Sequence, residues 1–187
     1  DVPVYTKAGT MREIVNRKNL DSKAFCVLTK NNFTVGDFQI ETFRTSHDAA
    51  DPMGLCCYSG QHKLTFMTDT GLVDDTMLKY LDESDLLVLE ANYDPQMLKY
   101  GPYPFDLKKR VAGPYGHLSN EHAAQALLMM KRPDHLQVVM AHRSEKNNEQ
   151  AVVTDTVTTA LTAEGLIMKQ DITIYHGQPK EMVSIRA

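Results

Sequence analysis

The sequence predicts an α/β layered fold, and three observations carry that expectation. The first half of the chain is rich in short strand patterns, and the second half alternates strand and helix. Two runs, Leu86–Glu90 and Gln137–Ala141, are apolar in the manner of strands buried on both faces. No internal repeat or low-complexity linker divides the chain, so one domain is the default over its 187 residues.

Each element has a local reason. Val2-Pro3-Val4-Tyr5 reads as a short strand. Thr10 and Glu13 have the spacing of a capping box, which starts a helix over Met11 to Lys18. Ala24–Leu28 and Phe33–Val35 read as short strands around a turn at Lys30-Asn31-Asn32, and Phe38–Phe43 alternates apolar and polar residues as a half-buried strand does. After a polar loop from His47 to Pro52, Gly54–Tyr58 and Lys63–Thr68 form a strand pair joined by Ser59-Gly60-Gln61-His62. Asp74 or Asp75 starts a helix to Leu81, and proline-rich loop sequence follows Glu90 as far as Pro104. Ser119 or Asn120 caps a helix to Lys131, and Glu149–Glu164 is a helix that Gly165 stops. Ile172–Tyr175 and Met182–Ile185 close the chain as strands.

Composition narrows the class. Hydrophobic residues at 42% and charged residues at 24% are the proportions of a globular protein. A net charge of −4 argues against nucleic-acid binding through a global basic field, so any such role must rest on a local site. Three cysteines, Cys26, Cys56 and the adjacent Cys57, suit reduced thiols in a cytoplasmic protein better than a disulfide framework. No apolar run is long enough to span a membrane, and no signal peptide is recognisable.

His47, Asp69 and His142 each stand just past a strand end, where loops collect functional groups. Imidazoles with a carboxylate suit zinc, iron or manganese. Each residue also has an ordinary reading: a lone histidine after a strand is commonly a surface residue, and Asp69 before Thr70-Gly71 has the chemistry of a turn or cap. Lys108, Lys109 and Arg110 form a small basic run that reads either as a nucleic-acid backbone contact or as a solvated helix face. His62, His122, His135 and His176 are placed at the surface, and Leu127–Met130 in helix core.

The strings around these residues add weight. They are Ser46-His47-Asp48, Thr68-Asp69-Thr70-Gly71, Leu89-Glu90-Ala91-Asn92, Gly116-His117-Leu118-Ser119-Asn120 and Ala141-His142-Arg143-Ser144. Together, and in this order, they resemble the later motifs of metallo-β-lactamase-fold nucleases: the bacterial YycJ-type (WalJ-type) branch and, more distantly, tRNase Z. The resemblance runs from about Val2 to Ile185 and implies an αββα sandwich. It implies that His47 and His142 ligate one metal each, that Asp69 bridges two divalent metals (zinc or manganese, with iron a further option), and that His117 assists the leaving group. Glu90 would orient His117 or share its proton, and Asp48 would support a metal-bound imidazole. Asn92, Ser119, Lys108 and Arg110 are the expected substrate contacts. The implied activity is hydrolysis of nucleic-acid phosphodiesters, as in a DNA or RNA exonuclease.

The same family carries an early His-x-His-x-Asp-His, and the seven histidines here include no pair two apart. The chain therefore reads as the C-terminal portion of such a domain, with an incomplete metal site, no activity on its own, and a missing N-terminal segment as the partner of its core. Two other functions stand beside the nuclease: hydrolysis of a thioester, lactone or β-lactam within the same fold, and a metal-free fragment that serves as a binding module.

Overall fold

The computed structural model describes residues 2–18, 21–178, 182, 184 and 185. The elements are β1 (Val4–Thr6), α1 (Ala8–Lys18), a short 3₁₀ turn at Ser22–Ala24, β2 (Phe25–Val27), β3 (Asn32–Val35), β4 (Phe38–Arg44), β5 (Met53–Ser59), β6 (His62–Met67), α2 (Asp75–Leu81), β7 (Leu86–Glu90), α3 (Pro95–Tyr100), α4 (Phe105–Val111), α5 (Asn120–Met129), β8 (Leu136–Ala141), α6 (Gln150–Ala163) and β9 (Ile172–His176). A seven-stranded sheet runs in sequence order from β3 to β9, while β1 and β2 form a separate parallel pair. The pairs from β3 to β6 are antiparallel, and those from β6 to β9 are parallel.

That topology decides where a site can form. Two antiparallel steps make β4 point the same way as β6, so the C-terminal ends of β4, β6, β7 and β8 meet at one edge of the sheet. Open α/β sheets bind ligands at that edge. One face of the sheet is packed by helices. Leu87, Leu89, Val138, Met140 and Ile172 join Leu81 of α2, Leu127 of α5 and Leu161 of α6 in one apolar core. Side-chain oxygens start three of the helices by accepting orphan backbone N–H groups: Asp74 from Thr76 and Met77, Asp94 from Met97, and Ser119 from His122.

Several local expectations are corrected. Thr10 lies inside α1, and its hydroxyl donates to the Asp51 carbonyl at 3.1 Å, so it is not a cap. β2 and β3 belong to different sheets and do not form a hairpin. The segment after Glu90 is not all loop: Pro95 occupies the first turn of α3, where its missing N–H costs nothing, and α4 follows. β8 is packed on one face only, because Val138 and Met140 are buried whereas Val139 and Ala141 are partly exposed. His176 is half-buried rather than on the surface, and Met129 is 56% exposed while Leu127 and Met130 are core. The strand expected over 182–185 falls partly outside the described residues, and Met182, Ser184 and Ile185 are not in a strand. No helix among the described residues is long and apolar enough to cross a membrane.

Candidate functional site

The turn after β6 places Asp69, and the turn after β8 places His142. Both residues hold left-handed backbone, with φ of 53° and 52°. Non-glycine residues keep that geometry only where their surroundings over-determine it, and such positions cluster at functional sites. Asp69 Oδ1 sits among three imidazoles: 3.4 Å from His47 Nε2, 3.6 Å from His142 Nδ1 and 3.8 Å from His117 Nδ1. The His117 ring lies 5.0 Å from that of His47 and 5.2 Å from that of His142, centroid to centroid. Asp69, Glu90, His117 and His142 have ligand atoms within 4.8 Å of one another and could hold a metal ion.

Glu90, at the end of β7, is fully buried and organises the cluster. Its Oε1 pairs with His142 Nδ1 at 2.6 Å and His117 Nδ1 at 2.8 Å. Its Oε2 accepts the backbone N–H of Thr70 at 3.0 Å and of Leu118 at 3.2 Å. All four lone-pair directions of an ionised carboxylate are thus in use. Burial works against its charge, but the hydrogen bonds from His117 and His142 outweigh it and hold the carboxyl below its ordinary range. The bond to Glu90, opposed by burial, in turn raises the pKa of His142. Ligating a cation would cost Glu90 one of these bonds.

Backbone contacts fix the rest. His47 Nδ1 bonds the Gly116 carbonyl at 2.8 Å, which leaves Nε2 facing Asp69. A side chain at Gly71 would put Cβ 2.4 Å from the Gly113 carbonyl, so only glycine lets the Asp69 turn approach the loop that carries His117. Ser46 Oγ donates to the Pro114 carbonyl at 2.7 Å, and Asp48 N–H to the Tyr115 carbonyl at 3.0 Å, tying the loops of His47 and His117 together.

Asp48 Oδ1 stands 3.6 Å from His47 Nε2, while Arg110 grips the same carboxylate through two nitrogens and keeps its pKa low. Arg110 is thereby ion-paired at the rim, and Lys108 Nζ caps the Lys99 carbonyl at 2.8 Å. Asn92 is buried and donates to the His142 carbonyl at 2.7 Å, and Ser119, 1% exposed, has its oxygen engaged as the α5 cap. Asn92 and Ser119 are thus held behind the cluster by bonds to its backbone and to α5. The supports that sequence reasoning missed are the Gly116 carbonyl and the N–H groups of Thr70 and Leu118. Being backbone atoms, they leave no signal beyond the glycines at 71 and 116.

Residues 1–143 match the β-lactamase superfamily domain. The chain belongs to that superfamily. It is 32% identical over 189 residues to a Bacillus anthracis protein named exodeoxyribonuclease YycJ, spanning all of this chain and 71% of that one. It is also 32% identical over 146 residues to exodeoxyribonuclease WalJ of Streptococcus pneumoniae serotype 2, which covers 78% of this chain and 54% of the relative. An isothiocyanate hydrolase from Delia radicum gut bacteria shares the fold at a TM-score of 0.66 and 15% identity, covering all of this chain and 70% of that one. The fold is thus the metallo-β-lactamase fold expected from the motifs; that fold implies divalent metals, and the cluster at the sheet edge is a residue group able to hold one.

Proposed function

We propose that this superfamily member is the site-bearing part of a divalent-metal-dependent phosphodiesterase that cleaves nucleic acid, as an exonuclease on DNA or RNA. The observation that carries the reading is Asp69 Oδ1 ringed by His47 Nε2, His142 Nδ1 and His117 Nδ1 at 3.4–3.8 Å. An anionic oxygen among imidazole nitrogens is a donor set that fits zinc, manganese or iron. His47, Asp69 and His142 would hold the metal, with Asp69 shared between two ions. These three donors are few for two ions, since a catalytic zinc usually takes three protein ligands of its own. Bound metal would supply an activated water near neutral pH and neutralise charge on the phosphoryl oxygens.

The chain's own groups do the rest. Asp69 anchors the reacting centre, and Glu90 locks the imidazoles of His117 and His142 by their Nδ1 atoms. That leaves His117 Nε2 to give a proton to the departing oxygen, help worth about 10²–10⁴-fold in general. The 2.8 Å bond between Glu90 and His117 favours phosphodiesters over thioesters, lactones or β-lactams, whose leaving groups do not call for this pair. A second reading, a binding module without metal chemistry, draws on the lack of any histidine pair two apart. Cleavage of labelled single- and double-stranded DNA and of RNA by the full-length protein, with manganese or zinc added, tests the proposal against H142A. Loss of cleavage in the variant is expected, and undiminished cleavage would remove the metal mechanism. Metal content after dialysis separates the binding-module reading.

A further inference from the structure

A second feature borders the cluster on the β4 side. A cavity of about 410 Å³ opens between the end of β4 and α2, with Phe43, Arg44, Thr45, Tyr80 and Tyr115 around it and His47 on its wall. Its size lies within the range of small-ligand sites. Three side chains there are not explained by the cluster or the core. Tyr115 is 64% exposed although its loop is tightly held. The Gly116 N–H reaches the Gly113 carbonyl at 2.9 Å, the His117 N–H reaches Val111 at 2.9 Å, and the Tyr115 carbonyl accepts from Asp48. Arg44 is exposed and has no hydrogen bond or ion pair among the described residues. Thr45 is 1% exposed, and its hydroxyl has no partner. The acidic residue on the wall, Asp74, spends Oδ1 on the N–H groups of Thr76 and Met77.

We infer that this cavity is a nucleotide subsite for the strand that the cluster cleaves, a statement that rests on the phosphodiesterase reading above. Tyr115 presents a rigid aromatic face on which an unstacked base lies. Arg44 meets a backbone phosphate next to the scissile one. Stacking on a ring with a nearby cation is how single strands are held without sequence preference. The shared wall at His47 sets this nucleotide beside the reacting phosphate. The preference is for single-stranded nucleic acid, because a base inside a duplex cannot reach the ring.

The test is fluorescence anisotropy of the protein with a labelled oligothymidylate of about eight residues, long enough for a typical single-strand site. The variants are Y115A, Y115F, Y115W and R44Q. Y115A is expected to weaken the Kd by roughly 5- to 150-fold, the range for removal of a base stack, while Y115F and Y115W retain binding. R44Q is expected to flatten the slope of log Kd against log salt by about 0.7, the value of one phosphate contact on a single strand. A merely structural role for Arg44 leaves that slope alone. Equal affinity across the tyrosine series, an unchanged salt slope, or no binding of the oligonucleotide by the wild type would overturn the subsite. Hydrolysis of bis(p-nitrophenyl) phosphate by the wild type reports the phosphodiesterase reading separately, since that compound offers no nucleobase. Its absence together with the expected binding pattern would discard the activity and keep the subsite.

Discussion

Replacing Glu90 separates the two pairs of bonds that it makes. In Glu90→Leu the side chain becomes apolar at similar size, and every acceptor is lost. His117 and His142 can turn to solvent, since their side chains are 17% and 42% exposed. The backbone N–H groups of Thr70 and Leu118 cannot, because both residues are fully buried. A stranded buried donor costs about 1–3 kcal/mol, so the pair costs about 2–6 kcal/mol. Removing a buried charge gives some of this back and places the expectation toward the lower end. Glu90→Gln differs in kind. Its oxygen can keep Thr70 and Leu118, and its NH₂ can donate to both imidazoles if their protons move to Nε2. E90Q should therefore keep most of its stability while presenting the wrong tautomer of His117 and His142. The assay is urea denaturation followed by far-UV circular dichroism, with a chelator present so that metal linkage does not enter. The reasoning fails if E90L lies within about 0.5 kcal/mol of wild type, or if E90Q is as unstable as E90L; ordinary surface changes fall within that margin.

Gly71→Ala should destabilise the protein by about 1–3 kcal/mol in the same assay, because its Cβ would meet the Gly113 carbonyl at 2.4 Å and push apart the loops of Asp69 and His117. His176 gives a pH signature. Burial, then the charge of Arg143, lowers its pKa from 6.5, so the unfolded chain binds the proton more readily than the folded one. The stability that His176 contributes is complete above pH 6.5 and is lost as pH falls toward its folded value. Urea midpoints across that window should fall less steeply in His176→Gln, whose amide can still reach the Thr154 hydroxyl that sits 2.9 Å from Nε2. A parallel fall in both proteins would contradict the assignment.

The sheet edge was legible because strand endings are. Apolar runs end at Met67, Glu90 and Ala141, and the chemistry-bearing residues follow at once, so Asp69 and His142 could be placed together before any coordinates. His47 depended on a subtler fact, that two antiparallel steps return β4 to the direction of β6. Helix α3 was hidden because Pro95 reads as a loop residue unless Asp94 is seen as its cap. The false cap at Thr10 shows the opposite error: the spacing to Glu13 was right, but the helix had already begun at Ala8. Asp48 and Arg110 lie 62 residues apart, and nothing local announces that they neutralise each other. The backbone donors to Glu90 and the carbonyl that turns His47 belong to every residue type and could not be read from side chains. The free state of Arg44 and Thr45 was equally out of reach, since lacking a partner is a property of the folded surroundings.

Anomalous scattering from crystals grown with zinc tests the central claim most directly. The account predicts a peak about 2.0–2.2 Å from Asp69 Oδ1 and from an imidazole nitrogen of His47 or His142. Ordered zinc found only away from these three side chains, or none at concentrations that fill other zinc hydrolases, would contradict it.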